Sequence, residues 1–204
     1  MRSPMRAVVT GAAGFLGSAL VDRLLADGHQ VVGIDDLSTG SAANLESALR
    51  LGATGSRLFT LIRRDVQAPE LTGIIAGTNP AVIFHLAART DRETSWADPC
   101  LDARSNVLGT INLCEAARRA CVERIVYVSE TASHPHTPTS VARTAGEMYL
   151  RAYADRYGLT PIGVPLPQVD VSTLAEAVEA LMRAMRTPID TPVYDVDYDR
   201  REAG

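Results

Sequence analysis

The chain has 204 residues, 46% of them hydrophobic and 22% charged, enough to bury one α/β core, so a single domain over 1–204 is expected. Its formal net charge is −4 and its arginines are scattered singly or in pairs; with no basic stripe, nucleic acid is not expected as a partner. No apolar run approaches the ~20 residues that span a bilayer, and Met1-Arg2-Ser3-Pro4-Met5-Arg6 leads into a strand rather than a signal-peptide core, so a cytoplasmic protein without membrane contact is expected.

Ala7-Val8-Val9 is a β-branched run stopped by Thr10-Gly11-Ala12-Ala13-Gly14-Phe15-Leu16-Gly17, after which Leu16, Leu20 and Leu24 recur at helical spacing up to Gly28. Val31 to Ile34 ending at Asp35, Leu58 to Ile62 ending before Asp65, Ala81 to Phe84, and Ile125 to Val128 read as further short strands. Helix-like or loop-like sequence separates them, which predicts an α/β fold with a doubly wound parallel sheet buried on both faces. Segments 104–121 and 140–157 read as helices, the second presenting Ala142, Ala145, Tyr149, Ala152 and Tyr153 as its apolar face. A sixth strand falls at Leu159 to Val164, where Pro161, Pro165 and Pro167 exclude a helix interior. Leu174, Val178, Leu181, Met182 and Met185 mark a last helix, followed by a strand near Val193-Tyr194 and a frayed polar tail over 197–204. Cys100, Cys114 and Cys121 are odd in number and lack CxxC spacing, so they read as buried reduced thiols, and no metal site is expected.

The glycine turn carries the first chemical signal. Gly11 allows the tight turn, Gly14 lets backbone approach a pyrophosphate, and Gly17 lets the helix pack on the strand. Phe15 and Leu16 stand in the first helical turn, where free N–H groups and the positive end of the dipole favour an anion. A dinucleotide fits this arrangement; the plainer alternative is a strand-to-helix turn that needs glycine. Asp35 follows the second strand about twenty residues beyond the glycines, where a carboxylate accepts from the adenosine ribose hydroxyls and repels a 2′-phosphate, favouring NAD over NADP. The alternative is that Asp35 or Asp36 caps a helix beginning near Ser41.

On Thr10 to Gly17, Gly33 to Gly40, Asp65-Val66, Phe84-His85-Leu86-Ala87-Ala88 and Asn106-Val107-Leu108-Gly109-Thr110, the chain resembles the NAD-dependent nucleotide-sugar epimerase/dehydratase family. These are extended short-chain dehydrogenases, and the likeness is particularly to UDP-glucose 4-epimerases, almost continuously from Arg6 to Tyr157. The resemblance implies a Rossmann fold and NAD as cofactor. It puts Asp65 and Val66 beside the adenine, Asp36, Ser38, Thr39 and Gly40 around the adenosine, and Leu86, Ala87 and Ala88 along the pyrophosphate and nicotinamide. His85 reads as a satisfied histidine at a strand end. Family dimers form through helices that match 104–121 and 140–157, which implies a homodimer or a heterodimer with a related chain.

The resemblance fails at the reaction centre. The family carries a Ser/Thr after the fifth strand and a Tyr-x-x-x-Lys on the next long helix. The tyrosine is the acid/base, and the lysine holds the nicotinamide ribose and depresses the tyrosine pKa. Aligning Val128-Ser129-Glu130 and Ala145-Gly146-Glu147 with the family puts Glu130, Thr139 and Arg143 at those positions. Thr139 has no accessible ionisation, and Arg143 keeps a cation for the ribose without exchanging protons near neutrality. All 20 Lys/Arg positions are arginine, so no register writes a Tyr-x-x-x-Lys. Losing a positioned acid/base costs about 10² to 10⁴ in rate, so ordinary epimerisation is expected to be abolished or nearly so. Substitutes are Glu130 as a carboxylate base and His134 or His136, whose His-Pro-His loop also reads as plain solvated loop. Glu147 is expected on an exposed helix face, paired with Arg143 or Arg151. Because Pro165 to Asp170 runs directly into the last helix, the substrate lobe is expected to be largely missing. The expectation is a NAD(H)-binding relative without ordinary epimerase activity that acts through binding or a partner. The alternatives are a subunit that pairs with an active relative, and an enzyme of changed, non-Tyr/Lys chemistry on a small substrate beside the nicotinamide.

Overall fold

The computed structural model describes residues 4–51, 58–129, 137–166 and 169–188. Strands β1 (Arg6–Thr10), β2 (Gln30–Asp35), β3 (Phe59–Arg63), β4 (Val82–His85), β5 (Arg124–Ser129) and β6 (Thr160–Pro165) form one sheet in the order β3-β2-β1-β4-β5-β6. Every pairing is parallel, so the chain has the doubly wound α/β fold that its alternation of strands and helices predicts.

The period-2 alternation of strand side chains sorts the core into two layers. Val9, Phe84, Val126 and Ile162 face α1 (Phe15–Ala26), α2 (Glu46–Leu51) and α8 (Leu174–Arg186), meeting Leu20, Leu24 and Leu181. Val8, Ile83 and Ile125 face α3 (Leu71–Thr78), α6 (Gly109–Arg119) and α7 (Pro138–Tyr157), meeting Ile75, Leu113 and Leu150. Each such side chain, fully removed from water, contributes about 1.5–3 kcal/mol. Polar ties fix the outer helices. Arg23 reaches Glu179 at 2.8 Å and Arg186 reaches Asp27 at 3.4 Å between α1 and α8. Arg124 donates to the Met185 carbonyl at the carboxyl end of α8, where a cation also complements the helix dipole.

Among the described residues β6 is the sheet edge beside β5, and its prolines fit that place. The Thr160 N–H donates to the Glu123 carbonyl, so the alternate positions 161, 163 and 165 direct their backbone nitrogens away from the sheet. Pro161 and Pro165 occupy two of those three positions, where a missing N–H costs no ladder bond. Residues 166–173 alone separate β6 from α8, and among the described residues there is no second lobe. No helix of the described residues is long and apolar enough to cross a membrane.

Several details differ from the sequence reading. The helix expected over 104–121 begins as a π-helical turn, Arg104–Leu108, before α6. Gly109 lies so close to Val66 that a Cβ there would be 2.7 Å from Val66 Cγ2. Helix α7 starts two residues before Ser140, because Thr137 accepts from the Ser140 N–H and Pro138 fits the first helical position. Its buried stripe is Thr139, Ala142, Gly146 and Leu150, whereas Tyr149 and Ala152 are exposed. Short helices α4 (Arg92–Ala97) and α5 (Pro99–Ala103), capped by Asp91 and Asp98, fill a stretch for which the sequence reading predicts no element. Of the three cysteines only Cys114 is buried; Cys100 and Cys121 are exposed because they sit in the first turn of α5 and just past α6, at helix ends that face solvent. The strand near Val193-Tyr194 and the tail over 197–204 lie outside the described residues.

Candidate functional site

The sheet order reverses between β1 and β4, and the carboxyl ends of these strands open a cleft at that switch point. Gly11 turns the chain at φ +68° and donates its N–H to the Ile34 carbonyl at 2.9 Å. A Cβ on Gly11 would lie 2.7 Å from the Ala87 nitrogen, and one on Gly17 would lie 2.0 Å from the Gly11 carbonyl oxygen. Both positions therefore admit only glycine without moving backbone. Gly14 differs: a Cβ there would meet only the Gly11 oxygen, at 3.3 Å, so its outer side is open to a ligand. Gly14 is also the N-cap of α1 and carries no side chain to answer the helix's first N–H groups. These free donors and the helix dipole suit a phosphate.

The cleft is an open groove of about 630 Å³, the solvent at its mouth included. Gly11, Gly14, Asp35, Asp36, Ser38 and Thr39 line it, and so do Asp65, Val66, Leu86, Ala87 and Ala88. Ile34, Arg64, Arg89 and Ser105 join them. Gly17 and Gly40 stand behind the lining, Gly40 backing onto Ala13 so closely that a Cβ would lie 2.8 Å from its carbonyl. Leu16 packs into the core and Phe15 is half-exposed. Asp35 is buried and accepts from the Ala13 N–H and the Leu37 N–H, each at 2.8 Å, pinning the glycine turn to the end of β2. Each of its oxygens keeps a second lone pair for a ligand hydroxyl. Ser41, not Asp35 or Asp36, caps the 3-10 turn Ala42–Leu45. Asp36 instead accepts from the Ser38 N–H and hydroxyl, and Asp65 accepts from the Gln67 N–H.

A second crevice adjoins the first across Leu86 to Ala88 and is lined by His85, Asn106, Tyr127, Arg143 and Glu147 among others. His85 is buried between two threonines: Thr10 Oγ1 lies 2.9 Å from Nδ1 and Thr110 Oγ1 lies 3.0 Å from Nε2. Burial pushes its pKa down to about 4, so near neutral pH the ring is uncharged. Asn106 clasps the backbone of Arg89, accepting from its N–H at 2.9 Å and donating to its carbonyl at 3.0 Å. The Thr139 hydroxyl donates to the same carbonyl at 2.8 Å. Arg143 donates to the Val128 carbonyl at 3.3 Å. Glu147, expected on an exposed face, is half-buried and lines the crevice, because Gly146 approaches Asn106 closely enough that a Cβ would lie 2.6 Å from its carbonyl. Glu130, His134 and His136 lie outside the described residues. Among the described residues no group of three or more His, Cys, Asp or Glu is placed to hold a metal ion.

Comparison with known proteins agrees with this geometry. The sequence model of the NAD dependent epimerase/dehydratase family matches residues 7–170. The chain belongs to this family. UDP-glucose 4-epimerase of Mycolicibacterium smegmatis is 40% identical, covering 97% of this chain and 68% of that relative. A putative UDP-glucose 4-epimerase of Methanocaldococcus jannaschii is 29% identical, covering 74% of this chain and 52% of the relative. Among solved structures, UDP-glucose 4-epimerase of Thermotoga maritima with UDP-glucose matches at a TM-score of 0.71 and 28% identity, over 79% of this chain and 55% of that one. The Thermus thermophilus UDP-glucose 4-epimerase in complex with NAD matches at 0.69 and 31% identity, over 79% and 54%. This chain therefore spans about two thirds of the first relative's length and about half of the other three.

Within the epimerase/dehydratase family frame, sequence reasoning missed three polar lining residues. Arg64 and Arg89 adjoin expected residues at the carboxyl ends of β3 and β4, so extending each strand-end motif by one position would have found them. Ser105 reaches the cleft from the π-helical turn, which no periodicity announces.

Proposed function

We propose that this chain binds NAD(H) in the cleft over β1, β2 and β4, does not carry out ordinary 4-epimerisation of a UDP-sugar, and acts as a binding or partner protein. The observation that carries this reading is the commitment of the Thr139 hydroxyl to the Arg89 carbonyl. The resemblance puts Thr139 where the family holds its acid/base tyrosine, yet here the side chain fastens a loop. The residues of the cleft fit the cofactor: the open side of Gly14 and the first turn of α1 suit its pyrophosphate, and the Asp35 carboxylate suits a ribose hydroxyl. Bound NAD supplies a hydride acceptor. Arg143, which lines the crevice next to Ala88, would hold the nicotinamide ribose through its guanidinium.

Leu108, Val141, Met148 and Tyr149, all exposed on the segments 104–121 and 140–157, support a partner role through these helices as a homodimer or a heterodimer. Purified protein is to be examined for retained NAD(H) by absorbance and mass spectrometry, then mixed with UDP-glucose or UDP-galactose. Retained cofactor without turnover is expected, and sustained epimerisation at a family-like rate refutes the reading. Light scattering that returns a monomer at every concentration removes the homodimer. A second reading, an enzyme of changed chemistry on a small substrate beside the nicotinamide, is favoured by the Glu147 carboxylate in the crevice. It prevails if Glu130→Gln abolishes a newly found activity while cofactor binding persists.

A further inference from the structure

Resting on the reading of the cleft as a NAD(H) site, we propose that Arg89 contacts the cofactor's pyrophosphate and that Asn106 and Thr139 are positioning residues that hold it there. The segment from Leu86 to Arg89 is irregular backbone, yet it is fastened at both ends. At one end the Ala87 N–H donates to Thr10 Oγ1, at 3.2 Å. At the other, the Arg89 N–H donates to Asn106 Oδ1, and the Arg89 carbonyl accepts from both Asn106 Nδ2 and Thr139 Oγ1. Asn106 and Thr139 are both buried. Neither a strand ladder nor a helix requires three bonds on one loop residue. What the three bonds accomplish is to fix the stem of an arginine that lines the cleft.

Topology decides which part of a dinucleotide Arg89 meets. β4 lies directly beside β1, and Gly11 is packed against the Ala87 backbone, so Arg89 follows a segment that touches the glycine turn. Arg64, the other arginine of the cleft, follows β3, two strands from β1, and adjoins Asp65 and Val66 at the adenine end. Charge points the same way. Asp35, Asp36 and Asp65 line the cleft, and a pyrophosphate adds further negative charge that the helix dipole, equivalent to about half an elementary charge, offsets only in part. A guanidinium presents a planar fork of donors that matches phosphate oxygens. Its attraction is felt by the pyrophosphate and not by a bare nucleoside.

The test is calorimetric titration of the intact chain with NAD, ADP-ribose and adenosine at low and moderate ionic strength. Arg89→Met is expected to weaken NAD and ADP-ribose by about tenfold, to flatten the salt dependence and to leave adenosine unchanged. Arg89→Lys, which keeps the charge, is expected to retain most of the affinity. Thr139→Val is expected to weaken NAD by several-fold with adenosine unchanged, and Thr139→Ser to restore it. The inference is overturned if Arg89→Met binds NAD as wild type does, or loses adenosine in equal measure. Should that variant not fold, Arg89→Gln takes its place in the same titrations, and an ADP-ribose-over-adenosine preference equal to that of wild type also overturns the inference. Wild type that binds none of the three ligands defeats the underlying NAD(H) reading instead.

Discussion

His85 Nε2 lies 3.0 Å from Thr110 Oγ1, and because that hydroxyl donates to the Asn106 carbonyl at 2.7 Å, the ring nitrogen carries the proton. Nδ1 then accepts from the Thr10 hydroxyl, whose oxygen takes the Ala87 N–H. The two threonines thus fix one neutral tautomer, and the chain of bonds runs in one direction from Ala87 to Asn106. A second proton on the ring would set donor against donor at Thr10.

Stability is expected to fall as pH drops from about 6.5 toward 4. Burial holds the folded pKa of His85 at about 4, below the ~6.5 of an unfolded histidine, so over this window the unfolded chain binds the extra proton. The contribution is complete above pH 6.5 and is lost on acidification, by up to about 3 kcal/mol. His29, also lowered by burial, acts with the same sign. Urea unfolding measured from pH 7 to pH 4 is expected to show this fall in wild type. His85→Gln is expected to be weaker at pH 7 with a shallower slope, and equal slopes would contradict the account.

Two glycine substitutions are expected to move stability in opposite directions. Gly17→Ala would put a Cβ 2.0 Å from the Gly11 oxygen, which forces α1 away from β1 and costs more than about 3 kcal/mol. Gly73→Ala meets nothing within 4 Å inside α3, so it is expected to stabilise by about 0.5–1 kcal/mol through helix propensity. Chemical denaturation of the two variants checks both signs.

Helices α6 and α7 are joined by the Tyr153 hydroxyl, which donates to Glu115 at 2.7 Å. Arg118 first, then Tyr153, draw the Glu115 carboxyl down to about 2. Tyr153→Phe is expected to cost about 1 kcal/mol. Glu115→Gln is expected to cost a similar amount, and the double variant less than the sum. Strict additivity in a double-mutant cycle would show that the bond carries no coupling.

Thiol chemistry gives a direct check on burial. Cys100 and Cys121 are exposed and Cys114 is buried, its thiol pushed up to about 12 mainly by burial. A maleimide at neutral pH is expected to label Cys100 and Cys121 in the native protein and Cys114 only after denaturation. Rapid native labelling at Cys114 would mean that α6 opens readily from the sheet.

The sheet is legible from sequence because each strand is a short apolar run with a turn residue at its end, and the glycine turn because the tight contacts of Gly11 and Gly17 leave no other residue. The clasp on Arg89 is not legible: its partners Asn106 and Thr139 are 17 and 50 residues away in the chain, and no local pattern ties them together. The apolar stripe of α7 is legible in part: Ala142 is buried and Tyr153 packs on the core, but Tyr149 and Ala152 face solvent. Thr139 and Gly146 lie inward beside Ala142, where small size allows close approach to Arg89 and Asn106. Exposure of Cys100 and Cys121 depends on where helices stop, the least readable feature of any sequence.

The prolines of β6 reach beyond the fold itself. With Pro161 and Pro165 at two of its three outward positions, the outer side of β6 carries, among the described residues, one main-chain donor, on Gly163. Recruitment of a foreign strand along β6, the usual first step toward cross-β aggregation, is disfavoured by covalent structure rather than by charge, and raising the salt concentration leaves that protection intact.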